Sequence, residues 1–255
     1  MKDDLRLEWQ LFLLAVQFLT RLPVPRDLPW SDDLMVRAAK YYPAVGLVVG
    51  LLCAGILHLA GYLLPGTVAV LLAVAAGLLI TGAFHEDGLA DMADGLGGGA
   101  SRERALEIMR DSRIGSYGAV TLGMVLAIKV AALAALPAGI AALALVAGHV
   151  LGRMAAVHVI ATTAYARASG SKFAAPKVTP DGYRWALITT LAVLAVLVLG
   201  AGVGPAALGT LASIALGQAV RVLCLHRLGG YTGDCLGAVQ QLAELGLLLG
   251  VLAWF

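Results

Sequence analysis

A run of carboxylates between two apolar segments is the part of the sequence most able to do chemistry. Residues 85–95 read HEDGLADMADG. If this run is helical, Asp87, Asp91 and Asp94 stand at positions i, i+4 and i+7 and share one face. Like charges on one face repel each other, so the face requires a counter-charge, for which a divalent cation is the usual choice. Mg²⁺ binds one or two carboxylates and fills its other positions with water and substrate phosphate.

The simplest alternative is an acidic, solvated loop between two membrane spans, because charge runs are usually hydrated. The carboxylates, however, start directly after an apolar segment that ends at Phe84, and they alternate with Leu89, Ala90, Met92 and Ala93. Free loops are richer in Lys, Ser and Pro. The pattern favours a half-buried surface at the edge of the membrane.

A glycine-rich and then arginine-rich segment follows the carboxylates. Glycines 97–99 lead to Ser101, which is a candidate N-cap for a helix. The free N–H groups of a helix N-terminus attract anions, and arginine binds phosphate in a bidentate manner. The glycines alone are a weak signal, but beside carboxylates they predict a phosphate-binding surface. Its candidate residues are Arg102, Arg104, Arg110 and Arg113.

His85 and a second glycine-rich loop are further candidates. His85 abuts the carboxylates and is a candidate general base or orienting hydrogen-bond partner. Residues 229–237 contain four glycines, which allow close backbone approach to a ligand. Asp234 in this loop is a candidate to complete a metal or substrate site, and Glu244 follows on the next helix. The alternative is an ordinary turn between two spans.

Three charged residues, Lys129, Arg153 and Glu244, lie inside apparent membrane spans. Charges within a membrane are costly and by default suggest function, while the alternatives are snorkelling or a structural ion pair. Arg153 follows His149 by four residues, so the two share a helix face. They form either part of an anion-binding wall or a packed polar pair.

The composition indicates a polytopic membrane protein. Of 255 residues, 60% are hydrophobic and 13% are charged, with a mean hydropathy of +0.88, whereas soluble domains carry about 25% charged residues. The net charge of +2 is too small to argue for nucleic acid as a partner. Cys53, Cys224 and Cys235 are far apart, which favours packing roles and gives no indication of an oxidising compartment.

The predicted fold is an all-α polytopic transmembrane helical bundle that forms a single domain over residues 1–255. A span needs roughly 20 apolar residues, and about seven segments are candidates. The apolar run at residues 11–19 is too short and predicts an N-terminal interfacial or re-entrant helix. The candidate spans cover residues 44–64, 68–84, 118–136, 139–161, 185–201, 205–224 and 238–255.

The connections between these spans differ in charge. Those near residues 65–67, 137–138 and 202–204 contain no Lys or Arg, and the others hold the arginines and lysines, among them Arg167 and Lys172. With seven spans all the charged connections fall on one side, and the positive-inside rule makes that side cytoplasmic. The carboxylates, the arginines and the second glycine-rich loop are therefore predicted on the cytoplasmic face.

Several of these motifs occur together in one family. The fragments are FLTRLPVP at 18–25, YPAVG at 42–46, FHEDGLADMADG at 84–95, RALEIMRDSRIG at 104–115 and GGYTGD at 229–234. In this order and combination they resemble the cobalamin synthases, the adenosylcobinamide-GDP ribazoletransferases of cobalamin biosynthesis. The resemblance runs from near the N-terminus to near Glu244.

The resemblance implies a Mg²⁺-dependent, multi-pass enzyme of the cell inner membrane. A hydroxyl of α-ribazole, or of its 5′-phosphate, would attack the cobinamide-linked phosphate of adenosylcobinamide-GDP and release GMP. Phosphoryl transfer depends mainly on positioning and charge neutralisation. The resemblance also allows association with membrane lipid, with other enzymes of the pathway and in oligomers. It predicts the metal ligands Glu86, Asp87, Asp91 and Asp94, the catalytic residues His85, Asp87 and Asp91, and the substrate or phosphate ligands Arg102, Arg104, Arg110, Arg113, Arg153, Thr232, Asp234 and Glu244.

Two other classes compete with this interpretation. CDP-alcohol phosphotransferases use a membrane-edge acidic motif, but their pattern continues with an arginine, which residues 87–95 lack, and with a different later spacing. A cation transporter would place its carboxylates inside the spans near the midplane. Here most carboxylates stand at the end of a span beside arginines, which would repel a cation.

Overall fold

The computed structural model describes residues 2–166 and 177–255. Within these ranges all regular structure is helical, with one 3₁₀ turn at Ala39–Tyr41 and a single β-bridge between Tyr165 and Tyr231. Arg167 and Lys172, counted above among the cytoplasmic charges, lie outside the described residues. The helices are α1 Lys2–Leu19, α2 Asp32–Ala38, α3 Tyr42–Gly61, α4 Gly66–Thr81, α5 Phe84–Gly98, α6 Arg102–Ile108, α7 Ser116–Ala135, α8 Ala138–Thr162, α9 Pro180–Ala201, α10 Val203–Leu228 and α11 Gly233–Leu252.

The predicted helical membrane bundle is confirmed. Six helical segments are long and apolar enough to cross a membrane, and there are seven if the bent pair α4 and α5 is counted as one span. The prediction of about seven spans therefore agrees with the structure. Helix α1 is not among the candidate spans, and its interfacial position stays a prediction. The spans are Asp32–Gly61, Ser116–Ala135, Ala138–Thr162, Pro180–Ala201, Val203–Leu228 and Gly233–Leu252.

A sharp elbow separates α4 from α5, whose axes differ by 87°. Gly82 and Ala83 form it with positive φ angles of 65° and 54°. For an alanine this left-handed conformation costs about 1–2 kcal/mol, so neighbouring contacts must hold it. The Arg21 N–H donates to the Ile80 carbonyl over 2.6 Å, and the Arg21 guanidinium lies against Gly82. The predicted span at 68–84 thus ends earlier, at Thr81, and the acidic run begins a new helix.

Paired glycines four residues apart bring the central helices together. Gly46 and Gly50 of α3 lie directly against the backbone of α8. A Cβ at Gly46 would be only 2.5 Å from the His149 carbonyl oxygen, so the two helices could not approach this closely with a larger residue there. The pair on α8 faces α11, and the pair on α11 faces α10. Small residues at this spacing allow close helix approach in membranes. The two further pairs are Gly148 with Gly152 and Gly246 with Gly250.

Candidate functional site

Helix α5 carries the predicted carboxylates on two different faces. Asp87 is exposed, Asp91 is half-buried and Asp94 is buried, and these three residues form what we call the acidic face. Glu86 points into the helical bundle, where it is 6% exposed. The structure therefore separates Glu86 from the other three predicted metal ligands.

Asp94 caps the N-terminus of the neighbouring helix α7. Its Oδ2 atom accepts a hydrogen bond from the Gly115 N–H over 2.7 Å, and its Oδ1 atom accepts one from the Gly118 N–H over 2.8 Å. A carboxylate at a helix N-terminus satisfies free amides and interacts favourably with the helix dipole. Both glycines are required, because a Cβ at either would lie within 2.4 Å of an Asp94 oxygen. Asp94 therefore fixes α7 against α5.

An open cleft of about 350 Å³ lies beside Asp94, between the end of α5, helix α6 and the start of α7. We call it the arginine cleft. It combines two arginines, two further carboxylates and the exposed ring of Tyr117. Its lining residues are Asp94, Gly98, Arg104, Glu107, Ile108, Asp111, Arg113, Gly115, Ser116 and Tyr117.

The arginines of the cleft are paired with carboxylates at the protein surface. Arg104 Nη1 donates to Glu107 over 2.6 Å, and Arg113 Nε donates to Asp111 over 2.9 Å. The Arg113 hydrogen bonds hold the pKa of Asp111 at about 2, below its ordinary value of 3.8. Both arginine side chains are more than half exposed, so an incoming phosphate can compete for the guanidinium groups. Arg110 is also exposed.

Arg102, predicted as a phosphate ligand, is bound to backbone carbonyls. Its Nε atom donates to Leu228 and its Nη2 atom donates to Ala166, each over 2.7 Å. Arg227 makes a similar contact in the opposite direction, to the Gly99 carbonyl over 2.8 Å. These bonds join the start of α6 and the residue after α5 to the end of α10 and to Ala166. The described contacts of Arg102 therefore connect parts of the fold, and its role in phosphate binding stays a prediction.

The second glycine-rich loop leads into α11, whose first turn lies directly against α5. A Cβ at Gly88 of α5 would lie 2.9 Å from the Asp234 carbonyl oxygen, and one at Gly237 would lie 2.7 Å from the His85 carbonyl oxygen. Thr232 is the buried N-cap of α11, and its hydroxyl accepts from the Cys235 N–H over 3.3 Å. The structure thus places the Asp234 backbone against Gly88 of α5 and gives Thr232 a capping position, while a metal- or substrate-binding role for either residue stays a prediction.

A second group of polar residues lies inside the bundle, and we call it the buried network. Glu86 Oε1 accepts a hydrogen bond from Gln241 Nε2 over 2.7 Å. Lys129 Nζ donates to Gln241 Oε1 over 2.9 Å and lies 3.0 Å from Glu244 Oε1. The side chains of Lys129 and Glu244 are only 4% and 0% exposed. The network consists of Glu86, Lys129, His149, Arg153, Gln240, Gln241 and Glu244.

Glutamines and glycines complete this network. Gln240 Nε2 donates to Glu244 Oε2 over 2.7 Å, and Gln240 Oε1 accepts from Gln241 Nε2 over 2.7 Å. Gly148 and Gly152 of α8 leave space for the Glu244 and Gln240 side chains of α11. The two glutamines were missed from the sequence, although polar residues three and four positions before Glu244 on an apolar helix are a signal that could have identified them.

Arg153 lies in the same region, fully buried. Its Nη1 atom donates to the His149 carbonyl over 3.0 Å. His149 Nδ1 in turn lies 3.4 Å from Glu244 Oε2. Arg153 and Glu244 were predicted to bind substrate. The structure places both within the bundle, at 2% and 0% exposure, away from the solvent-exposed cleft, so that role stays a prediction.

The acidic face fits a magnesium ion that retains water and phosphate ligands. Asp87 and Asp91 lie one helical turn apart on the same side of α5, at the surface, and Mg²⁺ is commonly held by one or two carboxylates. An enclosed site in which protein side chains alone bind the metal is not found in the described residues. In residues 2–166 and 177–255 no group of three or more His, Cys, Asp or Glu is arranged to hold a metal ion.

The fold and the site together indicate a multi-pass membrane protein with a charged, open site at one end of its helical bundle. A family model described as cobalamin-5-phosphate synthase matches residues 11–252. No solved structure matches the chain. The chain belongs to the cobalamin-5-phosphate synthase family.

Curated relatives named adenosylcobinamide-GDP ribazoletransferase are similar to this chain over nearly their whole length. The Leptothrix cholodnii protein is 46% identical, with 97% of this chain and 97% of that protein covered. The Vibrio cholerae protein is 43% identical, with 98% and 96% covered. The Vibrio parahaemolyticus protein is 41% identical, with 98% and 95% covered.

Proposed function

We propose that this chain is an adenosylcobinamide-GDP ribazoletransferase that works at the acidic face and the arginine cleft. Three observations support the proposal. The curated relatives bear this name at 41–46% identity, the family model covers almost the entire chain, and the two charged surfaces meet at Asp94. The single observation that carries most weight is this junction of carboxylates and exposed arginines.

The reaction joins a hydroxyl of α-ribazole, or of its 5′-phosphate, to the cobinamide-linked phosphate of adenosylcobinamide-GDP. A new P–O bond forms to the ribazole oxygen, the bond to the bridging oxygen of the diphosphate breaks, and GMP leaves. The attacking hydroxyl loses its proton. Bound Mg²⁺ would neutralise phosphate charge and align the diphosphate.

The protein residues divide this work by position. Asp87 and Asp91 would hold Mg²⁺ at the surface of α5. Arg104, Arg110 and Arg113 would bind the phosphate of the leaving GMP, since an arginine–phosphate pair is charge-assisted and directional. Asp94, through its bonds to Gly115 and Gly118, holds the start of α7 against α5 and so would keep the cleft beside the residues proposed to hold the ion. Asp87 is the exposed candidate to accept the proton, whereas His85 is 5% exposed and lines the same internal cavity as Glu86, so its catalytic role stays a prediction.

The proposed location is the cell inner membrane with the site on the cytoplasmic face. The positive-inside rule supports this orientation, because a seven-span topology predicted from the sequence puts the arginines of the cleft on the same side as the other charged connections. The substrates are small molecules, and membrane lipid surrounds the bundle. Association with other enzymes of the pathway and oligomer formation are compatible with this arrangement.

The test is a balanced product assay on purified protein in detergent. The protein is incubated with adenosylcobinamide-GDP and α-ribazole, or ribazole 5′-phosphate, and GMP and cobalamin are quantified by chromatography. We expect equimolar products, their loss on EDTA treatment and their return on adding excess Mg²⁺. Absence of both products with either form of ribazole would overturn the proposed function, and activity unaffected by EDTA would overturn the metal assignment.

A further inference from the structure

The buried network contains polar atoms that the protein itself does not satisfy. Among the described residues, Arg153 Nε, Arg153 Nη2 and Glu86 Oε2 have no hydrogen-bond partner, and Glu244 Oε1 has its ion pair with Lys129 but no hydrogen bond. Buried polar groups in proteins are nearly always hydrogen-bonded, so several such atoms together require an explanation.

The residues that carry these four atoms line one small cavity. It has a volume of about 20 Å³ and its walls include Glu86, Lys129, Arg153 and Glu244. A water molecule needs about 10–15 Å³ and two to four polar partners, so the cavity has space for one water and not for a phosphate.

The number and type of the unsatisfied atoms match a water molecule. Two of them are donors, on Arg153, and two are acceptors, on Glu86 and Glu244. A water accepts two hydrogen bonds and donates two. The formal charges also balance, because two carboxylates face one lysine and one arginine, so the site needs no additional ion.

The network joins the acidic helix to three other helices. Glu86 lies on α5, Lys129 on α7, Arg153 on α8 and Glu244 on α11. Glu86 directly precedes Asp87, so whatever fixes the Glu86 side chain also fixes the rotation of α5 about its axis. The strained elbow at Ala83 lies three residues before Glu86. Because it interrupts the helix, α4 does not hold the orientation of α5.

We propose that an ordered water binds in this cavity and that the resulting network positions α5, and with it the acidic face, for catalysis. Arg153, Lys129, Gln241 and Glu244 are then positioning residues: they act through Glu86 and do not touch the reacting atoms. This inference rests on the proposed function only for its activity readout. Its structural readouts are independent of that function.

The test compares single variants with a charge-neutral double variant. Lys129→Met and Glu244→Gln each leave one buried charge without its partner, and we expect both to lower the thermal midpoint and the yield of folded protein. Lys129→Met/Glu244→Gln removes both charges with little change of shape, and we expect it to recover folding. Thr190→Val is the control, because the hydroxyl of this buried threonine on α9 bonds its own helix, at the Ala186 carbonyl.

A positioning role and a purely structural role predict different results for the folded double variant. If the network positions α5, kcat stays at least tenfold below that of the wild type while KM for adenosylcobinamide-GDP changes less than threefold. Hydrogen–deuterium exchange in peptides covering Phe84–Gly98 becomes faster, while Thr190→Val leaves it unchanged. Recovery of both kcat and slow exchange would overturn the positioning role.

The water itself is tested by an experimental map of the wild-type protein at about 2 Å resolution. Density for a water within hydrogen-bond distance of Arg153 and Glu86 is expected, and a direct Arg153–Glu86 contact with no intervening density would overturn it. Failure of the proposed function is distinguishable, because wild-type protein would then release no GMP while the exchange and map results would remain readable.

Discussion

The arginine cleft and the buried network contain the same kinds of residue in opposite surroundings. In the cleft, Arg104 pairs with Glu107 and both side chains are more than half exposed. In the network, Lys129 pairs with Glu244 and the two are nearly inaccessible to solvent. An exposed pair contributes about 0–1 kcal/mol, whereas removing one partner of a buried pair costs about 3–5 kcal/mol.

The difference shows how burial determines what a charge can do. Exposed arginines exchange one anion for another at little cost, which suits a surface that binds and releases phosphate. Buried charges are held by several hydrogen bonds at once and cannot be exchanged without disrupting the fold, which suits positioning. Helix α5 belongs to both regions, with the acidic face on one side and Glu86 on the other.

The largest expected effect comes from breaking the buried pair. Lys129→Met leaves the Glu244 carboxylate without its lysine inside the bundle, and we expect a loss of about 3–5 kcal/mol of unfolding free energy. Arg184→Met is the matched surface variant, since Arg184 pairs with Asp181 over 2.9 Å at high exposure and its loss should cost about 0–1 kcal/mol. Denaturant or thermal unfolding in detergent measures both, and equal effects would contradict the distinction between the two regions.

Arg102 and Arg104 separate stability from activity within one short helix. Arg102→Met removes two hydrogen bonds from a charged donor to backbone carbonyls, and we expect a loss of about 2–3 kcal/mol in stability. Arg104→Met should leave the thermal midpoint almost unchanged and raise KM for adenosylcobinamide-GDP at least tenfold. Steady-state kinetics and thermal melting of both variants test this. A stable Arg102→Met with a raised KM, beside a destabilised Arg104→Met with an unchanged KM, would contradict the prediction.

Gly118→Ala tests the contact that fixes the edge of the cleft. The added methyl group would lie 2.3 Å from Asp94 Oδ2 and 2.8 Å from the Ala90 carbonyl oxygen, and such overpacking costs about 1–3 kcal/mol. Gly123→Ala is the control on the same helix, because nothing lies within 4 Å of its added Cβ, and it should stabilise by up to about 1 kcal/mol. Equal melting temperatures for the two variants would rule out close packing at Asp94.

The smallest expected effect is the pH dependence of the Asp111–Arg113 pair. The pKa of Asp111 is lowered from 3.8 to about 2 in the folded protein, chiefly by the Arg113 hydrogen bonds. A lowered pKa means that the pair stabilises the fold above about pH 4 and that this contribution disappears as the pH falls towards 2. The difference in melting temperature between wild type and Asp111→Asn should therefore shrink over this interval. A difference that is constant with pH would contradict the pairing.

Much of this arrangement could be predicted from the sequence. Apolar length predicted the spans, and the i, i+4, i+7 spacing predicted the face shared by Asp87, Asp91 and Asp94. The elbow at Gly82 and Ala83 could not be predicted, because an alanine with positive φ depends on tertiary contacts such as that from Arg21. The roles of Glu86 and Arg102 also depend on partners that are distant in the sequence, which local spacing does not reveal.

The most direct test of the account is the GMP-release rate and thermal midpoint of Asp91→Asn beside wild type. The substitution keeps the shape of a half-buried side chain on the acidic face and removes its charge. We predict a fall in kcat of at least one hundredfold with a melting temperature within a few degrees of wild type. A folded Asp91→Asn protein that releases GMP at the wild-type rate would contradict the assignment of chemistry to the acidic face.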